Sequence, residues 1–326
     1  MIRIFILLAI MVAGAAFFVW PNKSLVIVSP APKVFGSSTS EPKVNLPINR
    51  QSLSANKWFP TENFSASYNY SLNLSAKSAV SVDFDSGEIL FNKDSREKLP
   101  IASVVKIMTA LVALENSDPS RIFNVSEKAV KVGENSMGLV AGEKLEVREL
   151  LYGLMLVSGN DAAVTIAEGV SGSEEKFVNL MNEQVAYLGL KDTHFVNASG
   201  LDVDGINDYS TAYDVAVISR YVWEHYPLFR QVTSTYHEYI DSTNDHAAYD
   251  LYNDTNLLTT YPGVKGIKPG FTWEAGLCLA TYAENGGKRV LAVVLGSDDR
   301  RGEMKELLDY SFGTYGIRVP HPGLDL

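Results

Sequence analysis

The sequence predicts an α/β (α+β) fold, in which both ends of the folded region contribute strands to one sheet and a helical insertion lies between them. Three observations support this prediction. A hairpin pattern covers 79–91, helical patterns follow from 103 onward, and strand patterns return after 263. The chain of 326 residues, 46% of them hydrophobic and 20% charged, is long enough to bury a sizeable core.

The elements follow one another in a clear order. Two apolar runs, 79–84 and 88–91, flank the turn sequence Asp85-Ser86-Gly87 and predict the hairpin. Apolar positions at helical spacing predict helices over 103–115, 147–157 and 161–168. Thr211 and Asp214 have the spacing of a capping box and predict the start of another helix. Strands are then predicted over 263–273, 276–283 and 289–296, with an amphipathic helix over 302–312.

The amino-terminal part of the chain predicts export. Residues 4–20 carry no charge and are flanked by basic residues, which is typical of a membrane-spanning or signal segment. We interpret 1–20 as an uncleaved membrane anchor, with a cleaved signal and secretion as the alternative; either way the rest is extracytoplasmic. Residues 21–71 hold six of the 13 prolines among many Ser and Asn, which indicates a Pro/Ser/Asn-rich tether. The folded domain is predicted over 72–326.

The composition argues against several classes of protein. The formal net charge of −10, without any Lys/Arg-rich run, argues against nucleic-acid binding, because phosphate recognition needs a basic face. The five histidines are scattered without a metal-ligand spacing, and neither a metal nor a cofactor is predicted. The single cysteine, Cys278, lies in an apolar run and is interpreted as a small buried hydrophobic residue.

The pattern Ser-x-x-Lys places a hydroxyl and an amine on one face of a helix, where a neutral lysine can take the hydroxyl proton. Alone it is a weak signal, because it begins at five serines, Ser40, Ser54, Ser95, Ser103 and Ser173. Only Ser103-Val104-Val105-Lys106 lies in an apolar helical pattern, which would desolvate Lys106 and lower its pKa. Ser103 is therefore the predicted nucleophile, and Lys106 is the predicted base.

Two further short motifs are also weak individually. Ser158-Gly159-Asn160 breaks two apolar helical runs and predicts a tight turn that carries short hydrogen-bonding side chains beside the core. Lys268-Pro269-Gly270 lies in a predicted strand, where a lone lysine is more often a solvated edge residue. Together, the three motifs in this order and at these distances along the chain form a specific pattern.

The trio resembles the S-x-x-K, S-D-N and K-T-G motifs of penicillin-binding proteins and class A β-lactamases. Within that superfamily of penicillin-recognising serine hydrolases, the chain resembles the low-molecular-mass D-alanyl-D-alanine carboxypeptidases from about 72 to about 316. The segments that carry the resemblance outside the trio are 136–139, 141–143, 149–155, 161–163, 197, 200–202, 209–212 and 261–267. The resemblance implies a β-lactamase/transpeptidase-like fold, with an antiparallel sheet flanked by helices, a mostly helical lobe, and the site between them.

The resemblance also implies an activity. Such an enzyme removes the terminal D-alanine from peptidoglycan stem pentapeptides through an acyl-enzyme and is inhibited by β-lactam antibiotics. By this resemblance, Ser103 attacks the carbonyl between the two D-alanines and Lys106 accepts its proton. Ser158 relays that proton to the departing D-alanine, while Asn160 positions Lys106 and the substrate amide. The resemblance implies neither a metal nor a cofactor.

The resemblance assigns the strand Lys268-Pro269-Gly270-Phe271 to substrate binding. Lys268 attracts the terminal carboxylate and favours a neutral Lys106 through its charge, and the backbone N–H groups of Ser103 and Phe271 bind the oxyanion. Pro269 departs from the family, which has Thr or Ser there and uses its hydroxyl to contact the carboxylate. Proline is tolerated if the strand is an edge strand, and we expect weaker substrate and β-lactam binding.

Other functions share these residues. A peptidoglycan D,D-endopeptidase uses the same groups, and a β-lactamase differs in releasing bound penicillin quickly with the help of a glutamate. A third alternative is a catalytically idle peptidoglycan-binding module, because Pro269 departs from the family pattern. The expected partners are therefore a peptidoglycan stem peptide, β-lactams as inhibitors, and the membrane through the amino-terminal segment, but no nucleic acid.

Overall fold

The computed structural model describes residues 58–61, 72–202, 205, 207–255 and 257–322. By its internal contacts the chain divides into Met1–Asn45 and Leu46–Leu326, and all described residues belong to the second unit. The segment 1–20, interpreted as a membrane anchor, lies outside the described residues, as does most of the tether interpreted over 21–71. Among the described residues, no helix has the length and apolar character needed to cross a membrane.

The described strands are β1 (Ser78–Asp83), β2 (Ile89–Lys93), β3 (Leu99–Pro100), β4 (Ile122–Asn124), β5 (Lys144–Glu146), β6 (Tyr209–Ser210), β7 (His237–Ile240), β8 (Tyr249–Tyr252), β9 (Val264–Thr272), β10 (Gly276–Asn285) and β11 (Lys288–Ser297). The described helices are α1 (Lys106–Asn116), α2 (Glu127–Val130), α3 (Val147–Leu156), α4 (Asn160–Ser171), α5 (Glu174–Leu188), α6 (Ala212–His225), α7 (Pro227–Ser234), α8 (Leu257–Thr260) and α9 (Arg300–Gly313), with a 3₁₀ turn at Ala102–Val105 before α1.

The central sheet has five strands in the order β2-β1-β11-β10-β9, and every neighbouring pair is antiparallel. Strand β1 pairs with β11 in the register Val80↔Val293, so distant parts of the chain meet in the middle of the sheet. The predicted sheet from both ends of the folded region, with helices between them, is confirmed. Strand β9, which contains Pro269, lies at one edge of the sheet. An edge strand is where a proline is tolerated.

Local sequence explains the two tight hairpins of this sheet. In the β1–β2 turn, the Asp83 carboxylate accepts hydrogen bonds from the backbone N–H groups of Asp85 and Ser86. In the β10–β11 turn, Gly286 and Gly287 both have positive φ, as a two-residue turn that matches the strand twist requires. These turns fix the register of β1 against β2 and of β10 against β11.

Both faces of the sheet are covered. On one face, α9 packs buried Met304, Leu307, Leu308 and Phe312 against the strands. On the other face, the larger core continues through α6 and α7 into the mostly helical lobe that contains α1–α5. Thr211 caps α6 by accepting a hydrogen bond from the Asp214 backbone N–H, as its spacing predicted. The predicted fold class is therefore confirmed, with a cleft between sheet and lobe.

Residues 58–61 contact the sheet domain although they belong to the segment interpreted as a tether. The Thr61 N–H donates to the Gly87 carbonyl oxygen at 2.8 Å, and the Tyr213 hydroxyl donates to the Pro60 carbonyl oxygen at 2.9 Å. These contacts fasten this short stretch beside the β1–β2 turn.

Candidate active site

Ser103 lies in the 3₁₀ turn directly before α1, at the junction of the sheet and the helical lobe. The turn is closely surrounded by backbone. A Cβ atom at Gly200 would lie 2.2 Å from the Ala102 carbonyl oxygen, and one at Gly270 would lie 3.0 Å from the Ser103 nitrogen. Ala102 itself has φ 48°, a left-handed conformation that is costly for a residue with a side chain. The two glycines therefore allow β9 and the 197–202 loop to reach the serine.

Lys106 begins α1 and is fully buried beneath the serine. Its Nζ lies 3.0 Å from Ser103 Oγ, 2.7 Å from Asn160 Oδ1 and 2.6 Å from the Ser199 carbonyl oxygen. Burial holds the pKa of Lys106 well below its usual value, and the nearby charge of Lys268 lowers this pKa further. A neutral amine at hydrogen-bond distance from a hydroxyl can accept its proton.

Ser158 and Asn160 occupy the polar break between α3 and α4 that the sequence predicted. Ser158 has φ 59°, and its buried Oγ has no hydrogen-bond partner among the described residues. Asn160 is held by the loop before it, because its backbone N–H donates to the Asn135 carbonyl oxygen and its Nδ2 donates to that of Gly133. Asn160 Oδ1 is thereby aimed at Lys106.

The same loop is tied to α4 by one buried carboxylate. Asp161 accepts hydrogen bonds from the backbone N–H groups of Met137, Gly138 and Leu139, and from the Ser136 hydroxyl. A carboxylate at the start of a helix also interacts favourably with the helix dipole. The position of Asn160 therefore depends on a loop that Asp161 fixes.

Lys268 enters the cleft from β9. Its side chain is fully buried, and its Nζ has no hydrogen-bond partner within the described part of the chain. Burial lowers the pKa of Lys268 to about 7; the Asp254 carboxylate opposes this shift, and the Arg300 guanidinium adds to it. A buried amine without a partner is costly unless a ligand supplies one, and the ligand that satisfies it is an anion.

Pro269, Gly270 and Phe271 continue β9 along the cleft. Pro269 lies opposite Leu279 on the edge strand, and a proline is tolerated in such a strand where its nitrogen faces away from the neighbouring strand. Because residues two apart on a strand have the same orientation, the Phe271 N–H would then also face away from β10. The Phe271 ring is about half exposed and contacts Trp273, with 5.5 Å between ring centroids.

These side chains surround one cavity of about 180 Å³. Its lining residues are Ser103, Glu134, Asn135, Ser158, Asn160, Asp254, Lys268, Pro269, Gly270, Phe271 and Arg300. The cavity thus brings together every site residue predicted from the sequence except Lys106, which lies beneath it in contact with Ser103. Glu134, Asn135, Asp254 and Arg300 were not predicted.

Arg300 is the most informative of the residues that the sequence did not reveal. It begins α9, and its guanidinium donates to the Gly270 carbonyl oxygen at 2.7 Å. This contact directs a second positive charge towards the same part of the cavity as Lys268. No local signal marked it, because Asp299-Arg300-Arg301 is ordinary for a helix start on the surface.

Two further residues that were not predicted, Asn197 and Asp208, orient the Ser199 carbonyl oxygen that contacts Lys106. Asn197 Oδ1 accepts hydrogen bonds from the N–H groups of Ser199 and Gly200, which orients the Ser199 carbonyl oxygen towards Lys106. The buried carboxylate of Asp208 accepts a hydrogen bond from the Asn197 N–H, and burial raises the pKa of Asp208 to about 7.

In the described part of the chain, no group of His, Cys, Asp and Glu side chains has the arrangement of a metal site.

An antiparallel sheet covered by helices, with a serine next to a buried lysine at its junction with a helical lobe, defines the class of penicillin-binding and β-lactamase-like proteins. The solved structures similar to this chain belong to that class. A D-alanyl-D-alanine carboxypeptidase from Mycobacterium tuberculosis H37Rv superposes with a TM-score of 0.69 and 32% identity, covering 74% of this chain and 94% of its own. The Streptomyces K15 DD-transpeptidase superposes with a TM-score of 0.70 and 29% identity, covering 75% and 99%.

Residues 63–299 match the peptidase family S11, described as D-alanyl-D-alanine carboxypeptidase, and the chain belongs to this family. Its curated relatives include the D-alanyl-D-alanine carboxypeptidase DacF of Bacillus subtilis, which is 40% identical over 248 residues. That alignment covers 74% of this chain and 63% of DacF, and the alignment with DacD of Escherichia coli covers 72% and 61% at 35% identity. The chain therefore spans less than two thirds of the length of these two relatives.

Proposed function

We propose that this protein is a serine-type D-alanyl-D-alanine carboxypeptidase that removes the terminal D-alanine from peptidoglycan stem pentapeptides. The observation that carries the proposal is the fully buried Lys106 amine, 3.0 Å from Ser103 Oγ and with a pKa well below its usual value. This pair supplies a nucleophile and its base without a histidine. Membership of the S11 family supports the same activity.

In the proposed acylation step, Lys106 takes the Ser103 proton while Ser103 Oγ attacks the carbonyl between the two D-alanines. The backbone N–H groups of Ser103 and Phe271 stabilise the oxyanion that forms. Gly270 favours this arrangement because a Cβ atom there would lie only 3.0 Å from the Ser103 nitrogen, a tight contact. The negative charge develops where two donors are already in place, which lowers the barrier without reorganisation.

The leaving D-alanine needs a proton on its nitrogen and a partner for its carboxylate. Ser158 is suited to relay the proton, because the residue lines the cavity and its buried Oγ has no hydrogen-bond partner among the described residues. Lys268 and Arg300 bind the carboxylate, and Asn160 holds Lys106 and the substrate amide. Water then hydrolyses the acyl-enzyme and releases the shortened peptide. A β-lactam acylates Ser103 by the same first step and thereby blocks the site.

The proposed organisation follows from this activity. Residues 1–20 would anchor the protein to the cytoplasmic membrane, or would be removed as a signal, and 21–71 would act as a tether. The carboxypeptidase domain, proposed over 72–326, would then act outside the cytoplasm, where its peptidoglycan substrate lies. An anchored enzyme on a tether can reach the peptidoglycan layer, which supports this arrangement.

The test is the release of D-alanine from a synthetic acyl-D-Ala-D-Ala peptide by the full chain in detergent. Ser103→Ala should abolish release. Ser173→Ala is the matched control, because Ser173 also begins a Ser-x-x-Lys sequence but caps α5 away from the cavity. Release that persists in Ser103→Ala would overturn the assigned nucleophile. A folded protein that releases no D-alanine but cleaves a cross-linked muropeptide would be an endopeptidase, and rapid turnover of penicillin would indicate a β-lactamase.

A further inference from the structure

The hairpin formed by β7 and β8 exposes aromatic side chains to solvent on one of its two sides. Its inner side, which packs against α3, buries Ile240, Tyr249 and Leu251. Alternate residues of a strand point to opposite sides, so the residues between them form the outer side. The aromatic face of the hairpin consists of Tyr236, His237, Tyr239, Asp250 and Tyr252, and its three tyrosines are each about half exposed.

The side chains of the aromatic face hold one another in place. The Tyr252 ring stacks on His237 with 4.3 Å between ring centroids and 15° between planes, and it meets Tyr236 edge to face at 6.0 Å. The His237 imidazole in turn pairs with the Asp250 carboxylate on the other strand. Side chains that are already ordered lose little conformational freedom when a ligand binds. The face is therefore preformed.

The aromatic face borders the catalytic cavity. The Asn253 N–H donates to the Tyr236 carbonyl oxygen at 2.8 Å, and the next residue, Asp254, lines the cavity. Tyr252 lies two residues before Asp254, which corresponds to about 7 Å of extended backbone. A ligand that is longer than the cavity can therefore contact both surfaces.

The proposed substrate is such a ligand. The cavity of about 180 Å³ is smaller than the roughly 300–1,000 Å³ of ordinary ligand pockets, so that only the end of a stem peptide enters it. The stem peptide is attached to a glycan strand, and the rest of this polymer must lie on the protein surface around the cavity.

Charge and polarity select the kind of partner that fits the aromatic face. Residues 235–252 include four acidic side chains and neither Lys nor Arg, which disfavours anionic lipids and other polyanions. The exposed rings alternate with hydroxyl, imidazole and carboxylate groups. A neutral sugar combines an apolar C–H surface, which packs on the electron-rich face of an aromatic ring, with hydroxyl and acetamido groups that form hydrogen bonds. The N-acetylated amino sugars of a glycan strand have this chemistry.

We propose that the aromatic face of the β7–β8 hairpin binds the glycan strand of peptidoglycan and forms a second binding site beside the catalytic cavity. The inference rests on the proposed function, because it concerns the same polymer. The aromatic face takes no part in the chemical steps at Ser103. It holds the enzyme on the polymer and thereby favours polymeric peptidoglycan over free peptides.

The test measures binding of the full chain in detergent to two probes, N-acetylated chitohexaose and glycan strands from which an amidase has removed the stem peptides. Tyr252→Ala should raise the Kd for both probes about fivefold through the loss of an aromatic contact. Tyr239→Ala should have a similar effect, and it disturbs the hairpin least because Tyr239 is the most exposed of the three tyrosines. Tyr252→Trp keeps an aromatic ring and should bind within about twofold of the unaltered protein.

Tyr209→Ala is the matched control, because it removes an exposed tyrosine from β6, outside the hairpin, and should bind both probes normally. D-Alanine release from a synthetic acyl-D-Ala-D-Ala peptide should be equal in the hairpin variants and the unaltered protein. Release from polymeric pentapeptide peptidoglycan should fall in Tyr252→Ala and Tyr239→Ala.

Failure of the folded, unaltered protein to bind the glycan, or binding that survives in both alanine variants, would overturn the inference and leave the carboxypeptidase activity intact. Displacement of the glycan by phosphatidylglycerol added to the micelles would assign the face to a lipid surface instead. A dimer in sedimentation that Tyr239→Ala dissociates would assign it to a second copy of the chain. Glycan binding without any D-alanine release would overturn the proposed function alone, since the binding assay requires no hydrolysis.

Discussion

The two buried lysines of the cavity differ in their surroundings and therefore in their tasks. Lys106 is held by three oxygen atoms and lies next to the hydroxyl that it is proposed to deprotonate. Lys268 has no partner among the described residues and faces the cavity, where a positive charge is useful to bind a carboxylate. Each lysine has a lowered pKa because of burial, but only Lys106 performs its proposed task when neutral.

This difference predicts a decline in activity above neutral pH. Lys268 is charged below its pKa of about 7 and neutral above it, whereas the substrate carboxylate is charged throughout. We therefore expect kcat/KM for acyl-D-Ala-D-Ala to fall as pH rises from about 6 to about 8 and then to level, since Arg300 keeps its charge. The measurement is a pH profile of D-alanine release. In Lys268→Arg the charge is permanent, and the same decline in that variant would refute the assignment to Lys268.

Pro269 predicts that a single substitution improves the enzyme. A threonine there would add a hydroxyl that can donate to the substrate carboxylate, and hydrogen bonds to charged groups contribute roughly 1.5–3 kcal/mol. Pro269→Thr should therefore acylate with penicillin at least about tenfold faster per unit concentration, because 1.4 kcal/mol corresponds to about a factor of ten. The second-order acylation rate constant measures this effect. An unchanged or slower rate would show that Pro269 does not weaken binding.

The sequence revealed some residues of the site and not others for a physical reason. Ser103 and Lys106 were recognisable because a lysine is unusual within an apolar helical pattern. Arg300 and Glu134 lie among polar residues at a helix start and in a loop, where a charge is ordinary. Only the folding of these segments against β9 and α4 brings the two charges into the cavity.

At the level of elements, the distance between β9 and the 3₁₀ turn determines whether the site can form. Gly270 lies on β9 opposite Cys278, and a Cβ atom there would be 3.0 Å from the Ser103 nitrogen and 3.1 Å from the Ile101 carbonyl oxygen. Neither backbone atom can move independently, because the turn continues directly into buried α1. The strand would have to shift outward by a few tenths of an ångström instead.

Gly270→Ala should therefore reduce catalysis more than stability. The contact requires a shift of a few tenths of an ångström between Ser103 and its proposed oxyanion donors, and a misplacement of about 1 Å can cost about a hundredfold in rate. We therefore expect acylation by fluorescent penicillin to slow by up to about tenfold while the thermal unfolding temperature changes little. Cys278→Ala, which alters the paired residue on β10 without approaching the turn, is the control. Normal acylation in Gly270→Ala would mean that the close contact at Ser103 is not needed.

The elements were predicted well where their local signals were strong. The Asp85-Ser86-Gly87 turn and the apolar runs of β10 and β11 gave boundaries within a few residues of the observed strands. The sequence did not reveal that Ser103 precedes the α-helix in a 3₁₀ turn, because that geometry depends on Gly200 and Gly270 approaching from distant segments. Short strands such as β3 and β6 were missed for the same reason, since each exists only through its pairing with the other.

At the level of the whole molecule, the site depends on the joining of distant segments into one sheet. Strands β1 and β2 come before the helical lobe and β9, β10 and β11 come after it, yet β1 pairs with β11. Pairings between distant parts of a chain close long loops and are slow to form. The cavity therefore forms only when the entire domain has folded.

Glu303 on α9 links these distant segments and provides a test of their coupling. Its buried carboxylate accepts hydrogen bonds from the N–H groups of Ser75 and Ala76, before β1, and from the Ser297 hydroxyl at the end of β11. Glu303→Ala leaves these donors unpaired, so we expect the free energy of unfolding in urea to fall by about 1–3 kcal/mol. Glu306→Ala, on the exposed side of the same helix, controls for the change in helix propensity. Equal stability of the two variants would mean that hydrogen bonds at Glu303 do not hold the two segments together.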